Sequence, residues 1–140
     1  MTEQGRLIEC RFPARAERLK LLRRLVYDAA ETAGAGAEKA EKAVIAVHEA
    51  CMNIIQHAYN NDPNGEIILE IINNGDTLVF QLTDFASPAD IHTIKPRALD
   101  DIRPGGLGTH FMNEVMDSVE YSVDDDLQGN HVTMTMTLQK

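Results

Sequence analysis

The sequence is short of positive charge: 13 lysines and arginines stand against 22 aspartates and glutamates, a formal net charge of -9. That balance argues against a nucleic-acid partner, whose binders carry a basic face. Cysteine is almost absent too. Cys10 and Cys51 lie far apart with no C-x-x-C spacing, so neither a disulfide framework nor a zinc site is indicated. Long apolar runs are missing: "MTEQGRLIEC" has no apolar h-region, and no later stretch is long enough to span a bilayer. Internal repeats and low-complexity tracts are also absent. What remains is ordinary globular composition, 44% hydrophobic and 25% charged with few aromatics, in 140 residues. That length suits one domain with one core. The expectation is a single cytoplasmic domain over residues 1–140, without nucleic acid and without membrane.

Periodicity divides the chain. "LIECRF" (Leu7 to Phe12) alternates as a short strand. From Ala16 to Ala33 apolar residues recur at helical spacing, through Leu19, Leu22, Leu25, Val26 and Ala29. "GAGAEKA" breaks that helix and starts another, from about Glu38 to Tyr59, and "NNDPNG" is a dense turn signal. "EIILEII" and "TLVFQLTD" read as strands joined by "NNGD", because Asn and Gly tolerate the positive φ a hairpin needs. Residues 85–105 contain three prolines and no period, which predicts a loop or lid. "GLGTHFMNEVM" predicts a short helix, and "SVEYSV" and "HVTMTMTL" predict half-buried strands. The order β-α-α-β-β-α-β-β predicts an α+β fold: a two-layer sandwich of a mixed, mostly antiparallel sheet with helices on one face.

Three features carry chemistry. In "EACMNIIQHAY", Glu49, Asn53 and His57 repeat every four residues, on a different side from the core stripe of Val44, Val47, Cys51, Ile54 and Ala58. A carboxylate one turn from a carboxamide can polarise a hydroxyl and offer an oxygen to a hard cation such as Mg2+. The same pair would also suit a surface Glu and an Asn satisfied by its own helix. "HEAC" is no zincin motif, since its second histidine would fall at Met52. In "LVFQLTDFASPAD", Asp84 is in phase with Leu78, Phe80 and Leu82, and a buried carboxylate needs a partner. An exocyclic purine amine is one such partner; a turn cap on the following loop is the alternative. In "RPGGLGTHF", glycines lead into a helix whose first N–H groups favour an anion, although a hinge would use glycines as well. Phe111 rules out a Rossmann fingerprint, and no G-K-[ST] follows for a Walker loop.

In this order and at these gaps, the segments resemble the nucleotide-binding boxes of the ATPase superfamily that contains gyrase, MutL and the histidine kinases. "EACMNIIQHAY" resembles the N box, "DFASPAD" the first glycine box, "GGLGTHFMNEVMDSVEY" the second and "GNHVTMTM" the last. Within that superfamily the chain is similar to the bacterial anti-sigma-factor serine-protein kinases, which share E-A-x-x-N-x-x-x-H-x-Y. The likeness covers roughly residues 7–138.

The resemblance implies ATP and Mg2+ as cofactors, with Asn53 the Mg2+ ligand and Glu49 the base for the acceptor hydroxyl. Asp84 would accept from the adenine amine. Gly105, Gly106, Leu107, Gly108 and Thr109 would close over the phosphates, and Arg103 would neutralise the terminal one. His57, Ala86 and Asn130 complete the implied ATP-binding set. The implied activity is that of an anti-sigma factor and serine-protein kinase. It would hold a sigma factor, phosphorylate an antagonist with a STAS-type domain, and work as a homodimer. Arg18, Arg23 and Arg24 in "ERLKLLRRL", basic in an acidic chain, are the candidate partner contact; a solvated face is the plainer reading.

Two departures stand out: Ala86 replaces the glycine of Asp-x-Gly, and Asn130 replaces the threonine expected in the last box. The alternative function is an ATP-gated sequestering module without kinase activity. A sensor histidine kinase fragment fits poorly, for want of a phosphoacceptor helix pair, and no triad supports a metabolic enzyme.

Overall fold

The computed structural model describes residues 5–86, 112–124 and 129–138. Strand β1 (Gly5–Pro13) leads through a single 3-10 turn (Ala16–Arg18) into helix α1 (Leu19–Thr32). Helix α2 (Ala37–Asn53) follows, then β2 (Glu66–Asn73), β3 (Thr77–Asp84), β4 (Ser118–Asp124) and β5 (Gly129–Thr137). Residues 112–115, ahead of β4, are helical.

The strands form one sheet in the order β1-β2-β3-β5-β4, and every described pairing is antiparallel. The sequence predicts a mixed sheet; the parallel element is absent from the described pairings for a topological reason. The connection from β3 delivers β4 parallel to β3, but one position away, and β5 inserts between them antiparallel to both. The β2–β3 hairpin turns at Gly75, whose φ of 91 suits the left-handed position of a three-residue loop. Asn73 Oδ1 accepts from the Gly75 amide at 2.9 Å and locks that turn.

Period-two alternation decides which side is buried. Ile67, Leu69 and Ile71 of β2, Leu78, Phe80 and Leu82 of β3, and Val132, Met134 and Met136 of β5 all point to the helical layer. Register stacks them, with Ile71 opposite Phe80 and Phe80 opposite Met134. The other face carries half-buried Glu70, Gln81, Thr83, Thr133 and Thr135, so the helices cover one side, as the two-layer reading expects. Helix α1 buries Leu19, Leu22, Val26 and Ala30, one residue per turn along a single stripe. Helix α2 buries mainly small residues, Ala40, Ala43, Ala46 and Ala50 with Val47 and Cys51, which lets it pack close against α1 and the sheet. Each large aliphatic side chain so enclosed contributes about 1.5–3 kcal/mol.

The second helix was expected to continue to Tyr59, and it does so in altered form. Over Ile54–Ala58 the last turn widens into a π turn. The Tyr59 amide reaches the Ile54 carbonyl at 2.9 Å, five residues back rather than four. Asn60 and Asn61 then take positive φ values of 52 and 64, as asparagine tolerates, and reverse the chain toward β2.

Candidate nucleotide-binding site

The site is built where the C-terminal end of α2 faces the ends of β3 and β5. Ala50, Asn53 and Ile54 from the helix side, Asp84 from β3, Tyr121 from β4, and His131 and Val132 from β5 line one pocket. Asn53 lies only 8% exposed on the inner side of α2, and its Nδ2 points to Met112 Sδ at 4.0 Å. Glu49 is half-buried one turn earlier, so the two side chains are neighbours on the helix, with Cβ atoms about 5–6 Å apart. The ladder of polar residues is therefore neither a solvated face nor part of the core stripe.

Asp84 is 2% exposed at the end of the apolar face of β3. Register places it opposite Asn130, the first inward position of β5. Asn130 Nδ2 donates to Asp84 Oδ1 at 2.9 Å and to the Ala86 carbonyl at 2.9 Å. The Ala86 amide donates to Asp84 Oδ1 at 3.0 Å. Asp84 thus caps the turn that follows it, one of its two expected roles, and it also lines the pocket. Ala86 is buried, and among the described non-glycine residues positive φ occurs at Asn60 and Asn61. The backbone at Ala86 therefore makes no demand for glycine.

Tyr59, to which sequence reasoning gave no role, ties the helix end to this turn. Its hydroxyl accepts from the Phe85 amide at 2.8 Å and donates to the Glu66 carbonyl at 2.7 Å. Burial pushes the Tyr59 phenol above its ordinary pKa, so it stays a donor. Gly65 backs the ring: a Cβ there would fall 2.8 Å from the Tyr59 ring carbons, so only glycine fits. The signal lay in the Tyr that closes E-A-x-x-N-x-x-x-H-x-Y, but its partners come from strands that spacing does not locate. Tyr121 was also missed; it lines the pocket, and burial raises the pKa of its phenol as well.

The other expected residues fall as follows. His57 is in the π turn, half-buried. Arg18 is exposed on the 3-10 turn and Arg24 on α1, whereas Arg23 is partly covered, its Nη1 3.3 Å from His48 Nδ1. Arg23 was expected on the exterior with the others; the side chain folds back because His48, on α2, offers it an acceptor. Arg103, Gly105, Gly106, Leu107, Gly108 and Thr109 lie outside the described residues.

A helix layer on one face of an antiparallel sheet, with a carboxamide at a helix end facing a buried aspartate at a strand end, defines a class. It is that of the histidine kinase-like ATPase domains, and the model of that family matches residues 12–136. The chain is 31% identical over 141 residues to the serine-protein kinase RsbW of Bacillus licheniformis, an alignment covering 95% of this chain and 86% of that protein. It is 30% identical over 148 residues to RsbW of Bacillus cereus strain B4264, covering 100% of this chain and 90% of that one. Among solved structures, the RsbU and RsbW domains of a Mycobacterium tuberculosis protein share the fold at TM-score 0.64 and 15% identity. That match covers 93% of this chain and 31% of the crystallised one. The chain belongs to the histidine kinase-like ATPase family and, within it, to the group of RsbW serine-protein kinases.

Proposed function

We propose that this protein binds Mg-ATP and transfers the terminal phosphoryl group to a serine of an anti-sigma-factor antagonist, and otherwise sequesters a sigma factor. The observation that carries this reading is the meeting of Asn53 and Asp84 in one pocket, with Glu49 one turn from Asn53. Asp84 suits an amine of a purine base, because it is buried and already oriented by Asn130 and its own turn. Among the described residues no cluster of three His, Cys, Asp or Glu side chains could cage a metal ion. Mg2+ keeps waters and phosphate oxygens and needs only one or two protein ligands; Asn53 is the residue proposed to hold it. Bound there, Mg2+ would neutralise phosphate charge.

The remaining chemistry belongs to the chain. Glu49 accepts the proton of the serine hydroxyl as its oxygen bonds to the terminal phosphorus, and the bond to the bridging oxygen breaks to release ADP. A half-buried position keeps Glu49 near the pocket while leaving it approachable from outside. Among the described residues no helix is long and apolar enough to cross a membrane.

A partner surface is proposed on α1. A groove of about 720 Å³ runs between the two helices, lined by Lys20, Arg23, Arg24, Tyr27 and Asp28 of α1 and by Glu41, Val44 and Ile45 of α2, three cations against two carboxylates. Leu21, 73% exposed, stands beside it. An acidic partner with an apolar ridge fits that mixture. Ile45 precedes Glu49 by one turn, so a partner in the groove lies near the proposed base. The working form is proposed to be a homodimer.

The test is phosphotransfer from labelled ATP, with Mg2+, to a STAS-type antagonist domain. Glu49→Gln should slow transfer by about a hundredfold or more while nucleotide still binds. Full-speed transfer in that variant would remove Glu49 from the chemistry. Nucleotide binding with no transfer to any antagonist would favour the alternative, a sequestering module gated by ATP.

A further inference from the structure

Arg23 and His48 meet where α1 packs on α2, with Nη1 3.3 Å from Nδ1. A guanidinium has N–H donors only and keeps its charge in folded proteins. The arginine therefore donates, and the imidazole must accept through Nδ1. That fixes the state of the ring: it is neutral and carries its proton on Nε2. A proton added at Nδ1 would remove the acceptor and set two cations against each other at that distance. Leu19, Leu22 and Val26 of α1 and Val44 and Val47 of α2 line the seam around the contact. Arg23 is thus held by a polar partner on an apolar floor. Glu49, next to His48 on α2, is the other charged group that acts on the ring. Arg23 also lines the groove between the helices, with Lys20 and Arg24 as fellow cations and Asp28 and Glu41 as carboxylates.

Resting on the partner surface proposed above, we infer that the Arg23–His48 contact is a proton-operated latch on the groove between α1 and α2. With His48 neutral, the guanidinium is folded back onto α2 and partly covered. With His48 protonated, Nδ1 carries a hydrogen in place of its lone pair and the guanidinium leaves. Its charge then joins Lys20 and Arg24 in the groove. An acidic partner meets three cations free to turn toward it, and capture tightens as pH falls. Burial lowers the pKa of the ring, Glu49 raises it and Arg23 lowers it, with the balance downward. The latch therefore opens below the ordinary histidine range rather than at neutral pH. Linkage makes the effect reciprocal: a partner that draws Arg23 outward raises the pKa of His48.

The test uses the full chain and two readouts. The first is NMR of nitrogen-labelled protein from about pH 8 to about pH 5. In wild type the two Nη resonances of Arg23 should be distinct while the guanidinium is held. They should merge with the same midpoint as the titration of the His48 ring. His48→Gln offers an acceptor that does not titrate, so its Arg23 resonances should stay distinct throughout. Arg23 signals indifferent to the His48 titration, or a neutral ring with its proton on Nδ1, overturn the latch. The second readout is capture of a STAS-type antagonist domain at the two ends of that range. Relative to His48→Gln, wild type should gain about two- to fivefold on acidification, the weight of one exposed ion pair. Arg23→Met should remove the gain, and it serves as the comparison if the glutamine variant does not fold. An equal pH ratio in wild type and both variants overturns the action of the latch on the surface. Failure of every form to capture the antagonist removes the partner reading instead, and the NMR readout still decides the latch.

Discussion

Removing the hydroxyl of Tyr59 isolates the link between the helix end and the turn that carries Asp84. Tyr59→Phe deletes one oxygen that receives the Phe85 amide at 2.8 Å and donates to the Glu66 carbonyl at 2.7 Å. The ring should not move, because Gly65 packs against it so tightly that a Cβ would fall 2.8 Å away. No large cavity forms, and the loss is that of two hydrogen bonds. Each contributes about 0.5–1.5 kcal/mol net. Phe85 is 46% exposed, so water can partly replace the bond to its amide. The expected loss is therefore about 1–2 kcal/mol, a fall in Tm of roughly 3–10 °C for a chain of this size. Urea denaturation should show a lower midpoint with unchanged slope, the mark of a native-state loss alone. Nucleotide affinity should fall with it, since the turn bearing Asp84 and Ala86 loses its hold on Phe85. If stability changes by less than about 0.5 kcal/mol and affinity is unaltered, the Tyr59 link does not position the site.

Other outcomes follow from the same geometry. Ala86→Gly should leave nucleotide affinity unchanged and cost roughly 0.5–1 kcal/mol on denaturation, because the position has no positive φ for glycine to relieve; tighter binding would refute this. Asp117 is held below the usual carboxylate range by hydrogen bonds from Thr137, whose amide lies 2.6 Å from Asp117 Oδ2. Its contribution is present above the ordinary carboxylate value and lost as pH falls through the lowered one. Asp117→Asn should therefore flatten the acid limb of the stability curve below about pH 4. Burial lowers the pKa of His48, so between that lowered value and about 6.5 the unfolded chain takes up the proton and stability drops as pH falls; His48→Gln should abolish that slope in denaturation measured across the window. Reversing exposed Arg18 and Arg24 to Glu should weaken capture of an antagonist or sigma factor while calorimetry shows unchanged ATP affinity, and retained capture would move the contact surface elsewhere.

Much of the fold could be read directly from alternation. Leu78, Phe80, Leu82 and Asp84 declare one face of β3 by phase alone, and that face is the buried one. For the proposed site, phase and helical spacing single out Asp84, Asn53 and Glu49, and the fold brings Asn53 and Asp84 to one pocket. What stayed hidden depends on contacts between distant segments. Nothing local says that Asn130 faces Asp84, since that follows from the β3–β5 register. Nor does spacing place Arg23 against His48, because the pairing depends on how α1 crosses α2. The fully antiparallel pairing was missed because strand order, unlike strand existence, is decided by where β5 inserts. The π turn left no trace, as "IIQHA" reads like ordinary helix.

That wide turn sets the direction of the chain beyond it. Over Ile54–Ala58 the backbone accommodates more residue per turn than a regular helix would. Winding the same five residues as regular helix would rotate everything beyond them by about 100° relative to α2. Tyr59 would swing off the Phe85 amide and the Glu66 carbonyl, and the asparagine reversal at 60–61 would point the chain away from β2. Changes that force regular winding on this segment should therefore be felt at the strand end, whereas substitutions at Gln56, an exposed position, should pass almost unnoticed. The segment acts as a phase shifter between helix and strand: Ile54, Ile55 and Ala58 anchor it in the core, and its winding sets where the chain leaves α2.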